Sequence, residues 1–206
     1  MTQKQSQGLA ELRAELDAID DQILDLIDRR LAASGEIAAR KNEEGDRHLK
    51  IRPKRQAQIL ERLKKRARRA HPELINEVWR QVMAHSLQAQ AETQLVLVAD
   101  ENPELLEARV RAHFGSAAPI KWATSATQAT RQAMESEVIA ILPEPLPDTS
   151  GNLRVFDIVR TEAGKPLGYV VGRVAADDAI SVESQPVKLQ RRARKAASSE
   201  ATRPTT

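Results

Sequence analysis

Apolar residues recur at three- and four-residue intervals from the start of the chain: Leu9, Leu12, Leu16, Ile19, Ile23 and Leu26. The spacing predicts one long helix over residues 9–41. A second apolar stripe, Leu24, Ile27 and Leu31, runs beside the first, and a helix with two apolar faces needs more than one neighbour. Residues 9–41 would span about 50 Å at 1.5 Å per residue, too long for a compact monomeric bundle of fewer than about 100 residues. Asn42 and Gly45 supply stop chemistry. Pro53 suits the first turn of a second helix carrying Ile59, Leu60 and Leu63. Pro72 likewise opens a third, with Leu74, Ile75, Val78, Trp79, Val82, Met83 and Leu87, fading near Ala91.

The texture changes at Gln94. Residues 95–98 form a short apolar, β-branched run, and 120–123, 138–142, 155–159 and 169–174 follow as further strands. Helical patterns at 103–114 and 127–135 separate the first three. The β-α-β-α-β order predicts a small α/β domain with a mostly parallel sheet. Gly164 sits in the link between the last two strands, and residues 143–152 read as a loop. From residue 185 onward apolar residues are scarce, which predicts a disordered basic tail containing Arg191, Arg192, Arg194 and Lys195. The chain therefore reads as multidomain α plus α/β: a helical domain over 1–92, a small α/β domain over 93–184 and a tail over 185–206.

Composition narrows the chemistry. The 206 residues are 41% hydrophobic, enough for a packed core, and only 2% aromatic. There is no cysteine, so disulfide and thiol chemistry are excluded. Net charge is a modest +3, with basic runs at 50–69 and 188–195 that most simply form solvated faces. No apolar signal core begins the chain and no run approaches membrane-spanning length, so a cytoplasmic protein is expected. His48, His71, His85 and His113 lack metal-ligand spacing, and no glycine-rich dinucleotide fingerprint follows the first strand.

Six polar side chains on the three N-terminal helices carry the functional signal: Arg13, Arg30, Lys41, Arg55, Ser86 and Gln90. Arg30 and Lys41 are about three turns apart, so they project from one face of the long helix. Arg55 lies in the first turn of helix two, where free backbone N–H groups also favour an anion. Ser86 and Gln90 are i, i+4 neighbours on helix three. Each residue alone is ordinary helix surface or a local backbone-bonding group. Together they are cations plus neutral donors, suited to a small molecule with two carboxylates. Arg13 precedes Arg30 by about 25 Å along the axis, too far to share a metabolite-sized ligand within one straight helix. An antiparallel second copy would bring its Arg13 beside Arg30, which predicts an intertwined homodimer with shared sites.

Leu12-Arg13, Ile19-Asp20, Ile23, Leu26, Arg30, Ile37, Lys41, Pro53, Arg55, Ser86 and Gln90 closely resemble the pattern of the all-helical chorismate mutases, in order and with matching loop lengths over residues 9–90. The resemblance implies a three-helix intertwined dimer that converts chorismate to prephenate, in aromatic amino acid biosynthesis, by a cofactor-free pericyclic rearrangement. It implies that Arg30 and the partner's Arg13 bind the two carboxylates. Lys41 would bridge a carboxylate and the ether oxygen, and Gln90 would donate to that oxygen. Arg55 would add positive potential and Ser86 would contact a carboxylate. Neither Gln90 nor an ordinary lysine titrates between about pH 6 and 8, so activity should persist across that range. Two departures stand out. Gln56 occupies a position where the family commonly has a glutamate facing the substrate hydroxyl, and Arg52 stands where some relatives have an acid. Weaker substrate binding is the expected consequence.

Residues 94–176 faintly resemble part of a prephenate dehydratase-like domain, too short for the usual two lobes, which implies a noncatalytic regulatory or structural module. The rival readings are an isochorismate-pyruvate lyase-like enzyme, a degenerate mutase scaffold, and a helical dimer binding nucleic acid through its basic runs. The last lacks aromatic side chains for base stacking.

Overall fold

The computed structural model describes residues 8–45, 48–99, 102–135, 137–146 and 152–180. The basic tail and half of the 143–152 loop lie outside these residues. Helix α1 spans Leu9–Glu43, α2 Pro53–Arg66 and α3 Pro72–Gln90. The next elements are β1 (Gln94–Leu97), α4 (Pro103–Phe114), β2 (Ile120–Trp122), α5 (Ala126–Gln132) and β3 (Val138–Leu142). A hairpin of β4 (Arg154–Arg160) and β5 (Pro166–Gly172) follows, then a 3-10 turn, Ala176–Asp178.

The helix boundaries follow local chemistry. α1 stops two residues later than its apolar pattern, and Gly45 takes a φ of 77° just beyond the C-cap, the left-handed exit that glycine adopts without steric cost. Proline occupies the first turn of α2, α3 and α4, where its missing N–H leaves no helical bond unmade. Asn102 caps α4 by accepting from the Leu105 N–H at 3.0 Å.

The burial pattern divides α1. Ile27, Arg30, Leu31, Ser34, Gly35, Ala38 and Lys41 are buried or half-buried, a single stripe at helical spacing that packs on α3. The apolar positions of the N-terminal half stand open among the described residues: Leu9, Leu12, Leu16, Ile19, Ile23 and Leu26 are 42–66% exposed. Leu74 and Val78 of α3 are exposed too.

The five strands form one sheet in the order β2-β1-β3-β5-β4. β1 pairs in parallel with both β2 and β3, while β5 is antiparallel to β3 and β4. Four strands thus run in one direction, with β5 inserted against them because a tight hairpin can join only antiparallel neighbours. The continuous apolar run of β3 is fully buried, as expected for a strand covered on both faces.

The helices and the sheet share a core. Leu49, Ile51 and Leu87 cluster with Leu95, Leu97, Val110, Ile139, Phe156 and Val170. Gly115 (φ 78°) closes the seam between α3 and α4: a Cβ there would lie 2.7 Å from the Ala84 Cβ. Polar links reinforce it, with Arg80 donating to the His113 carbonyl and Gln81 accepting from the Ser116 N–H. Below them His113 and Asp157 pair at 2.8 Å.

Candidate active site

A cleft of about 170 Å³ opens where the C-terminal half of α1, the start of α2 and the end of α3 meet. Arg30, Ser34, Ile37 and Lys41 line it from α1. Arg55, Gln56 and Ile59 line it from α2, and Met83, Ser86, Leu87 and Gln90 from α3. The extended segment before α2 adds Lys50, Ile51 and Arg52. Helical periodicity accounts for each set: 30, 34, 37 and 41 fall on one face of α1, and 83, 86, 87 and 90 on one face of α3.

Arg30 is held from α3. Its guanidinium donates to the Val82 carbonyl at 3.3 Å and to the Ser86 hydroxyl. Ser86 is buried and donates in turn to the Val82 carbonyl at 2.7 Å. The Gln90 side-chain amide donates to the Ser86 carbonyl at 3.1 Å. Ser86 therefore makes the local backbone bond its residue type favours, and it also orients an arginine 56 residues away in sequence. Burial moves the Arg30 pKa below its ordinary value, yet a guanidinium stays charged at neutral pH. Its cost of desolvation is offset by neutral acceptors rather than by a carboxylate. Among the described lining residues there are five cations and no Asp or Glu, so the lining itself is net positive.

The start of α2 adds to that field. The first helical backbone bond there runs from the Gln56 N–H to the Arg52 carbonyl at 2.9 Å. The N–H groups of the preceding turn have no intrahelical acceptor and favour negative charge nearby. Arg55 is exposed at the rim, while Gln56, Arg52 and Lys41 are half-buried. Arg52 also donates to the Leu49 and Ile51 carbonyls and pairs with Asp178 at 3.8 Å.

Seven of the residues singled out from the sequence thus meet at one cleft: Arg30, Lys41, Arg52, Arg55, Gln56, Ser86 and Gln90. Arg13 does not join them. It is exposed on the unpartnered half of α1, amid the apolar stripe. Residues 12–91 match the family model for chorismate mutase type II. The match covers α1 from Leu12, all of α2 and α3 and every described lining residue of the cleft, and it ends before the sheet. No curated protein and no solved structure matches the chain. Among the described residues, no helix is long and apolar enough to cross a membrane.

The matched segment also presents lining residues that sequence reasoning passed over. Ser34 lies one turn from Arg30 and was legible from helical spacing. Lys50 and Ile51 carried no such signal, because an extended segment between helices has no periodicity to read. Their position is set by the sheet beneath them.

Proposed function

We propose that the cleft catalyses the rearrangement of chorismate to prephenate, with two copies of the chain completing each site. The observation that best supports this is the convergence of Arg30, Lys41, Arg55, Ser86 and Gln90 on one cleft with no carboxylate among its described lining residues, within the segment matched by the chorismate mutase model. The reaction is an isomerisation: an ether C–O bond breaks as a C–C bond forms, and no proton, electron or water is consumed. It requires a bound, compact conformer and stabilisation of the negative charge that grows on the ether oxygen. Cations and neutral donors meet that need without a base or nucleophile.

In this reading Arg30, oriented by Ser86, binds one carboxylate. Lys41 and Gln90 address the ether oxygen, with Gln90 exchanging its bond to the Ser86 carbonyl for one to the substrate. Arg55 adds potential from the rim and Arg52 makes it more basic. Gln56 offers the substrate hydroxyl an uncharged acceptor, weaker than a carboxylate. The second carboxylate takes Arg13 of a second copy. The exposed stripe Leu9 to Leu26 and the exposed Leu74 and Val78 supply the apolar area for such pairing, since an apolar face of this extent is a feature of association surfaces.

The test uses the purified full chain. Chorismate absorbance should fall, with prephenate as product, and sedimentation should give a dimer. Pyruvate in place of prephenate would assign a lyase instead. Changing Ile19 and Ile23 together to glutamate should yield a folded monomer with activity reduced at least about 100-fold, because Arg13 is then missing from the site. A monomer that retains full turnover would overturn the shared-site reading.

A further inference from the structure

The wall of the cleft before α2 is built on the sheet. Residues 48–52 pass the end of β5, with the Leu49 N–H donating to the Arg173 carbonyl at 2.8 Å. Burial alternates along the segment: Leu49 and Ile51 are 2% and 3% exposed and sit in the core with Leu95, Val110, Phe156 and Val174. Lys50 and Arg52 are half-buried and line the cleft with Ile51. Gly172 permits this seating, because a Cβ there would lie 2.5 Å from the Leu49 Cδ1. At the far end Arg52 pairs with Asp178, itself only 8% exposed, in the 3-10 turn beyond β5.

We propose that the α/β unit is a positioning element of the cleft, and that Asp178 is the positioning residue that sets where Arg52 and the first turn of α2 stand relative to α1 and α3. Arg30, Lys41, Ser86 and Gln90 are fixed by the packing of α1 on α3. Arg55 and Gln56 follow directly from the anchored segment, so the sheet, together with the packing of α2 on α3, sets their distance to the other set. Arg52 reaches a carboxylate supplied by the turn beyond β5. The proposal deepens the mutase reading of the cleft and rests on it for its kinetic arm alone.

The experiment compares the full chain with Asp178→Asn and, as a second perturbation of the same seat, Leu49→Ala. The first readout is amide hydrogen exchange of residues 48–56; the second is KM and kcat with chorismate. Faster exchange of 48–56 in Asp178→Asn, with α1 and α3 unchanged, is expected. KM should rise roughly threefold to tenfold while kcat changes less, because the groups assigned to the ether oxygen are untouched. Asp178→Glu, which keeps the charge, should restore most of the loss. Leu49→Ala should reproduce the pattern more strongly, and general unfolding would appear as faster exchange throughout. Unchanged exchange and unchanged KM in both variants would overturn the proposal. If the unaltered chain does not consume chorismate, the mutase reading fails, and the exchange readout still decides whether Asp178 positions the segment.

Discussion

Arg30→Ala separates what this arginine does for the fold from what it does for the reaction. In the fold its guanidinium donates to the Val82 carbonyl and the Ser86 hydroxyl. Removing it orphans little, because Ser86 keeps its own 2.7 Å bond to Val82 and the carbonyl keeps that donor. The stability cost should be about 1 kcal/mol, the net value of an ordinary hydrogen bond. In a chain of this size that corresponds to a fall in Tm of roughly 2–4 °C. The kinetic cost is larger. On the proposed reading, losing this half-buried cation leaves a substrate carboxylate desolvated and unpaired, at about 2–5 kcal/mol. The ratio kcat/KM should therefore drop roughly 30-fold to several-thousand-fold. Chorismate consumption followed by absorbance gives the kinetics, and a thermal melt of the same sample gives the stability. A variant within about threefold of the parent kcat/KM would refute the role given to Arg30. A melt lowered by more than about 10 °C would refute the claim that its bonds to α3 are dispensable to the fold.

Two other outcomes test the seam between the helices and the sheet. Gly115→Ala should destabilise the chain by about 2–4 kcal/mol, because φ 78° with ψ −179° is a region essentially reserved for glycine and the new Cβ would meet that of Ala84 at 2.7 Å; a calorimetric Tm within about 2 °C of the parent would contradict this. The Asp157 carboxyl has its pKa lowered overall: burial works against the charge, but the hydrogen bond and charge of His113, the Ile158 N–H and Arg80 outweigh it. A depressed folded-state pKa contributes stability above the unfolded value and loses it as pH falls through the folded one. Stability should therefore decline below the ordinary aspartate value of 3.8, and Asp157→Asn should be less stable at neutral pH with a shallower acid loss; parallel denaturation curves from pH 6 to 2 would refute the pairing.

The long helix, the three proline starts, the five strands and the set of cations were legible in the sequence because each is local. Helical spacing alone puts Arg30, Ser34 and Lys41 on one face, and proline tolerates only the first turn. Strand direction was not local: β5 lies between β3 and β4 because the hairpin folds back into the sheet, a choice made by pairing partners distant in sequence. The seat of residues 48–52 was likewise hidden. Leu49 and Ile51 look like ordinary linker residues until the end of β5 and Gly172 give them a surface to cover. Composition and periodicity thus determined which side chains face one another within each helix. Only the tertiary structure decided that Arg52 turns toward Asp178, and that the sheet forms the floor on which the cleft's third wall rests. The physical reason is that burial of an aperiodic segment depends on the neighbour it finds, which no local pattern encodes.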